Sequence, residues 1–185
     1  MKGLARGTLI AMVLVFVGFN AVAQSDSIYG YADPSIKELA QFEYYRGKWK
    51  TEMEMVQDDG TFEKIDFTAE VIGRFLDDHR TFHIQFKGSN GFFSTDIRSF
   101  DATERKWKTL FLNAKAQRWQ HFNSEMVNGK MTALILGGYS GKEDFDIKLV
   151  DHPVSEDNYL REVYHSYDEM QNWKLVYKIN VVREK

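Results

Sequence analysis

Five histidines are the residues of this chain best suited to metal binding or acid–base chemistry. They are His79, His83, His121, His152 and His165. A zinc or iron site usually takes two or three converging ligands. His79 and His83 are four residues apart, a spacing that suits a helix but separates two side chains by about 13 Å along one face of a strand. We therefore predict no metal site from the histidines.

Nucleophilic and acid catalysis have equally little support in the sequence. The chain has no cysteine and no Gly-x-Ser-x-Gly motif, so it lacks both a thiol nucleophile and a nucleophile elbow. The pairs Asp58-Asp59 and Asp77-Asp78 lie in turn sequences, where aspartate is favoured because it accepts local backbone hydrogen bonds. We predict solvated turns there. A catalytic triad assembled in space stays open.

The segment from Gln117 to Asn123 differs from the other extended segments because polar residues occur on both of its faces. Inward-facing Trp119 or His121, together with Gln117, could supply the few polar groups that orient a ligand in a binding cavity. Alternatively, this segment lies at an edge or rim of the fold.

Two arginines and two tyrosines complete the candidate ligand-binding residues. Arg98 or Arg183, if directed into a cavity, could bind a ligand carboxylate through two parallel hydrogen bonds. The alternative for Arg98 is a structural pair with Asp101 or another acid. Tyr164 and Tyr177 could extend a polar lining, or they could pack in the core.

The elements that must position these residues are short strands. After residue 47 the apolar residues recur with period two: Trp49, Thr51, Met53 and Met55 share one face of the first strand. Asn-Gly pairs at 90–91 and 128–129 predict hairpins. We predict about ten antiparallel strands in an up-and-down barrel, with Pro153 in a loop.

One helix precedes the strands. Asp33 and Pro34 resemble an N-cap and a first helical turn, and Ile36, Leu39, Ala40 and Phe42 form an apolar stripe that stops at Gly47. We expect this helix to cover one mouth of the barrel, because its apolar face must be buried.

The N-terminal residues predict export. Lys2 and Arg6 precede an apolar run from Leu9 to Phe19 and the sequence Ala21-Val22-Ala23, which is typical of a secretory signal peptide. Residues 24–33 would form a flexible leader, and residues 34–185 a single domain in the periplasm or outside the cell. Loss of the signal moves the formal charge from −3 to −5, so neither nucleic acid nor stable membrane insertion is expected.

Several spaced residues resemble a known family. They are Phe42-x4-Gly47-x-Trp49, Arg74-Phe75-Leu76-Asp77, Arg98-Ser99-Phe100-Asp101-x5-Trp107, Trp173 and Arg183. The pattern is similar to the bacterial calycin-like family called domain of unknown function 1579. The resemblance implies a lipocalin-like barrel, with Gly47 and Trp49 as structural residues at the base near the helix. We add Trp107, which belongs to this pattern, to the candidate ligand-binding residues.

Nitrobindin-like haem barrels also begin with Gly and Trp before their first strand. They usually continue with further glycines, whereas this chain reads Trp49-Lys50-Thr51-Glu52. We therefore expect no cofactor, with haem held through His165 as the alternative.

The function expected from the sequence is binding of a small hydrophobic or amphipathic molecule, such as a fatty acid, without catalysis. One alternative is a barrel isomerase or hydrolase with His121 as general base. Another is an interaction module of the cell envelope with a filled core. Fold analogy does not choose among the three.

Overall fold

The computed structural model describes residues 28–139 and 144–184, in which ten antiparallel strands close into a barrel. The predicted signal peptide lies outside these residues. The strands are β1 Gly47–Val56, β2 Phe62–Phe75, β3 Thr81–Gly88, β4 Phe93–Asp101, β5 Lys106–Asn113, β6 Arg118–Val127, β7 Lys130–Tyr139, β8 Asp144–Ser155, β9 Asn158–Ser166 and β10 Lys174–Arg183. Each strand pairs with the next along the chain, and β1 pairs with β10. The predicted all-β, up-and-down barrel is confirmed.

Turn chemistry sets the register of the hairpins. Asn128 and Gly129 have φ values of 51° and 77°, which is the combination that a two-residue hairpin turn requires and that Asn-Gly adopts most easily. The predicted loop at Pro153 is wrong, because β8 continues to Ser155 and Pro153 pairs with Tyr159. The register shifts directly after Pro153, and such irregularities are where a strand accommodates a residue without an N–H group.

The cap helix, Lys37–Tyr45, is a 3₁₀ helix rather than the predicted α-helix from Asp33. Its buried residues are Leu39, Phe42 and Tyr45. These residues are three apart because a 3₁₀ helix has three residues per turn. The Asp33 carboxylate instead accepts hydrogen bonds from the backbone N–H and the hydroxyl of Ser35. The prediction failed because a local turn of this kind has the same residue types as a helix N-cap.

The predicted leader is described from residue 28, and this part contacts the barrel. The Phe75 N–H donates to the Tyr29 carbonyl, and the Asp33 N–H donates to the His79 carbonyl. The ring of Tyr31 stacks on His79 with a centroid distance of 4.0 Å. Residues 28–33 are therefore attached to the barrel.

The interior of the barrel has two halves that differ in packing. At the base, the end covered by the cap helix, the side chains of Phe42, Trp49, Phe82, Trp107 and Tyr159 are at most 1% exposed. At the far end, four inward-facing aromatic side chains keep some contact with solvent. They are Phe67, Phe86, Phe111 and Tyr177. The base is thus filled and the far end is accessible.

Within the described part of the chain, no helix has the length and apolar character needed to cross a membrane.

Candidate functional site

A buried arginine lies inside the barrel just above the base. Arg98 on β4 is 4% exposed, and its Nη2 donates to the Asp96 Oδ2 at 2.6 Å. The guanidinium carbon lies 5.1 Å from the ring centroid of Phe42 and 5.7 Å from that of Phe122. The Arg98 Nε has no hydrogen-bond partner among the described residues. One donor of this cation is therefore free to bind another molecule.

Two buried hydroxyl groups on neighbouring strands also lack a hydrogen-bond partner within residues 28–139 and 144–184. Thr109 on β5 pairs with Arg98 in the sheet register, and Ser124 on β6 pairs with Trp107. Both are buried, and neither hydroxyl has a partner in the described part of the chain. Buried polar groups almost always bond to protein, water or ligand, because desolvation without a partner costs about 1–3 kcal/mol. We call Arg98, Thr109 and Ser124 the lumen polar triad.

A second buried ion pair, between Arg161 and Asp151, differs from the Arg98–Asp96 pair in the number of its hydrogen bonds. The Arg161 Nε and Nη2 donate to the two carboxylate oxygens of Asp151 at 2.7 and 2.8 Å. The Tyr44 hydroxyl of the cap helix also donates to Asp151, at 2.6 Å. Burial and the negative charge of Asp151 raise the pKa of Tyr44 well above its ordinary value, so the phenol stays protonated as the donor. The protein itself supplies the hydrogen-bond partners of this cluster, which joins the cap helix to the barrel wall.

Aromatic rings line the far end on two sides. Phe67 and Phe86 stack on the β2–β3 wall with a centroid distance of 6.2 Å. Phe145 and His165 stack on the β8–β9 wall at 4.1 Å. In a ring of ten strands, β3 and β8 lie opposite each other. Burial lowers the pKa of His165, which favours its neutral form at neutral pH.

Three of the candidate residues face the interior. Arg98 belongs to the lumen polar triad, and its partner is Asp96 rather than Asp101, whose carboxylate accepts N–H groups of its own turn. Trp107 is fully buried at the base, where its Nε1 donates to the Gln41 Oε1 at 3.1 Å. Tyr177 lies at the far end, with its ring centroid 6.2 Å from that of His165.

Arg183 lies at the base and holds the barrel closure together. Its Nη1 donates to the Arg46 carbonyl at 2.8 Å, its Nε and Nη2 both donate to the Glu156 carbonyl, and its guanidinium carbon lies 4.0 Å from the Trp49 ring centroid. Gly47 makes room for this clamp, because a Cβ there would lie 2.3 Å from the Arg183 Nη1. The Trp49 Nε1 donates to the Tyr45 carbonyl at 3.0 Å. These contacts give Arg183, Gly47 and Trp49 a structural role at the base.

The predicted inward orientation of the β6 residues is wrong. Trp119 is 64% exposed, His121 lies on the outer face, and Gln117 is in the preceding turn with a φ of 52°. Inward positions on β6 are the even-numbered ones, such as Phe122 and Ser124, because side chains alternate along a strand. The sequence did not reveal this alternation, because polar residues occur on both faces of the strand.

Tyr164 also faces outwards. Its hydroxyl donates to the Glu162 Oε2 at 2.7 Å. Burial, and then the hydrogen bond to Glu162, raise its pKa to about 12. The phenol is therefore occupied on the outer wall and does not line the interior.

Sequence reasoning missed Thr109 and Ser124. Period-two alternation around Trp107 would have placed Thr109 on the same face as Trp107, so the signal was present in the sequence. Ser124 carried no such signal, because its strand lacks a clear apolar face. The ion pair Asp151–Arg161 was missed as well, since its members are ten residues apart on different strands.

The histidines and turn aspartates have local roles. His79 stacks on Tyr31, and the His83 Nε2 lies 2.7 Å from the Thr95 Oγ1. Among residues 28–139 and 144–184, no three histidine, aspartate or glutamate side chains are grouped to hold a metal ion. Asp59 accepts the Thr61 N–H, and Asp78 accepts the Thr81 N–H, so the interpretation of these aspartates as turn residues is confirmed.

Comparison with known proteins identifies the class of fold. No protein-family model matches the chain, and no curated protein sequence matches it significantly. Among solved structures, the S-type phycobiliprotein lyase CPES from Guillardia theta is similar, with a TM-score of 0.51 and 12% sequence identity. The match covers 78% of this chain and 90% of that one. The chain therefore has a lipocalin-like barrel fold, while its membership of the domain of unknown function 1579 family stays a prediction.

Proposed function

We propose that this protein binds a small amphipathic molecule inside the barrel, with the polar end of the ligand at the lumen polar triad. The observation that carries the proposal is the set of three buried polar groups without partners on three adjacent strands. An oxygen-bearing head group would accept a hydrogen bond from the Arg98 Nε and exchange hydrogen bonds with the Thr109 and Ser124 hydroxyls. The ligand would thereby satisfy groups that the protein leaves unpaired.

The apolar part of the ligand would extend toward the far end. The inward-facing aromatic side chains of the far end, such as Phe67, Phe86 and Phe111, keep some contact with solvent. Covering them would release about 25 cal/mol for each Å² of apolar surface removed from water. The lipocalin-like fold supports this reading, since barrels of this size can enclose one small ligand. A fatty acid meets these requirements, and we propose export through the predicted signal peptide.

A planar ligand is the second candidate, favoured by the stacked rings on opposite walls of the far end. The structural neighbour is called a phycobiliprotein lyase, which agrees with a barrel that handles a small bilin-like molecule. Haem, a cyclic tetrapyrrole, is another planar ligand of similar size. His165 faces the same region and could contribute an imidazole, since its stacking on Phe145 covers a ring face and not the in-plane nitrogens, and its Nδ1 lies 3.4 Å from the Tyr167 hydroxyl, which leaves Nε2 as the ligating atom.

Native mass spectrometry of the protein purified from a cell envelope, combined with solvent extraction and a visible spectrum, tests the proposal. We expect a stoichiometric non-protein mass that is lost on extraction. A fatty acid would support the first candidate, and a pigment would support the second, with a Soret band indicating haem. A clean mass that takes up neither palmitate nor haem on titration would contradict both candidates. That result would favour the filled-core interaction module.

A further inference from the structure

A second concave region lies on the outer wall of the barrel, separate from the interior. It is a groove of about 710 Å³ over β6, β7 and β8, and the loop before β10 forms one side of it. This volume is within the range of small-molecule sites. Val127, Leu134 and Met170 contribute apolar surface to the groove and are 39–43% exposed.

One cation of this groove has no counter-ion. Lys148 on β8 pairs in register with Leu134 on β7 and with Tyr164 on β9. Its Nζ lies 4.6 Å from the Tyr164 ring centroid and 4.7 Å from the Trp173 ring centroid. None of the ion pairs formed by the described residues includes Lys148. Two aromatic faces thus hold an ammonium group at the apolar surface.

The rest of the groove leaves this charge uncompensated. Lys106 lines the groove but already pairs with Glu125 at 3.4 Å. The Tyr164 hydroxyl already donates a hydrogen bond to Glu162. Tyr164 therefore contacts the Lys148 ammonium with its ring face and not with a polar atom. Burial lowers the pKa of Lys148, and no carboxylate opposes this effect. A bound anion would remove the cost of holding the cation there, because an opposite charge nearby favours the charged form.

We propose that the outer groove binds a small organic carboxylate with an apolar body, its carboxylate paired with the Lys148 ammonium and its body resting on Trp173, Leu134 and Val127. Charge complementarity identifies the head group, since Lys148 is a cation of the groove that no carboxylate of the described residues pairs with, whereas Lys106 is paired with Glu125. The exposed apolar side chains identify the body. This site is independent of the lumen polar triad, because the two use opposite faces of the wall.

Titration of the protein with 4-phenylbutyrate, followed by the four tryptophan indole N–H signals in a ¹⁵N–¹H spectrum, tests this site. We expect the Trp173 signal to move while those of the buried Trp49 and Trp107 stay in place. Lys148→Met, which keeps an apolar side chain of similar length, should weaken binding at least tenfold. The neutral amide of the same acid should bind wild type and Lys148→Met equally, and the exposed-lysine control Lys130→Met should bind the acid like wild type.

Movement of Trp107 with Trp173 unchanged would place the probe in the barrel and overturn the groove site while leaving the proposed function intact. Equal affinity of Lys148→Met and wild type for the acid would overturn the carboxylate contact. Trp173→Leu provides a second variant if Lys148→Met unfolds, and it should also weaken binding of the acid. A dimer detected by sedimentation, whose dissociation accompanies the signal change, would show that a second copy occupies the groove and would overturn the proposal.

Discussion

The base and the far end of this barrel have the same strands and the same alternation of side chains, yet they are packed differently. At the base, the cap helix inserts Leu39, Phe42 and Tyr45 between the strand ends, and the side chains there are almost inaccessible. At the far end, no described helix enters, and inward aromatic side chains keep contact with solvent. The comparison shows that the cap helix, rather than the barrel itself, decides which half is buried core and which half keeps contact with solvent.

The two buried ion pairs also differ, in the number of hydrogen bonds that each carboxylate accepts. Asp151 receives three hydrogen bonds, from Arg161 and from Tyr44 of the helix. Asp96 receives one from Arg98, and the Arg98 Nε remains unpaired. A saturated pair stabilises a single geometry, whereas an unsaturated pair keeps donors for another molecule. The first pair is therefore structural, and the second is the one that keeps the unpaired donor on which the proposed function rests.

Truncating one aromatic side chain in each half of the barrel should show the difference in packing most clearly. Trp49→Ala at the base should lower the free energy of unfolding by about 3–5 kcal/mol, because it leaves a cavity that the cap helix and the strands cannot fill. Phe86→Ala at the far end should cost roughly 1–2 kcal/mol, because part of that ring already contacts water. Urea unfolding followed by circular dichroism measures both. Equal losses would show that the far end is as tightly packed as the base.

Removing one charge from each ion pair should give the next largest difference. Asp151→Asn should cost about 3 kcal/mol, because it leaves the buried Arg161 without a counter-ion. Asp96→Asn also removes the counter-ion of a buried arginine, Arg98, but it should cost less, about 2 kcal/mol, because the Asp96 carboxylate accepts one hydrogen bond rather than three and is 12% exposed against 4% for Asp151. Urea midpoints of the two variants, which differ from wild type by the same chemical change, decide this. A larger loss for Asp96→Asn would reverse the assignment of roles.

Two buried threonines test whether the lumen polar triad is a binding feature. Thr109→Val should stabilise the ligand-free protein by about 0.5–1 kcal/mol, because it removes a buried hydroxyl without a partner. The same variant should retain roughly tenfold less of the co-purified molecule in native mass spectra. Thr51→Val is the matched control, since the Thr51 Oγ1 accepts the Ala69 N–H at 2.9 Å, and it should destabilise the fold by about 1 kcal/mol. Destabilisation by Thr109→Val would mean that its hydroxyl has a structural partner.

The smallest expected effect concerns pH and the far end. Burial lowers the pKa of His165 in the folded protein, so the unfolded chain binds the proton more tightly. The stability that this neutral imidazole provides is therefore present above a pH of about 6.5 and is lost as the pH falls toward the folded pKa. His165→Phe should reduce the fall in the urea midpoint between pH 7.5 and pH 5. An unchanged fall would assign that pH dependence to other groups, such as His83, whose pKa is also lowered by burial.

Part of this protein could be predicted from its residues because strand signals are local. Alternation in Trp49–Met55 identified a half-buried strand, and the Asn128-Gly129 turn identified a hairpin. About ten such strands with short connections imply a closed antiparallel barrel. The helix was predicted in the correct region, but its type was not. Asp33 and Pro34 fit a helix start and a turn equally well, and packing of residues 39, 42 and 45 on the base selected the 3₁₀ form.

The sequence by itself determined the class of fold, the number of strands and the inward position of residues on strands with a clear apolar face, since each depends on neighbours a few residues away. Only the tertiary structure decided which polar residues meet. Arg98, Thr109 and Ser124 come from three strands, and Lys148 meets Trp173 across 25 positions of the chain. Barrel closure and strand register bring such residues together, and neither hydrogen-bond saturation nor charge compensation can be determined until all neighbours of a group are known.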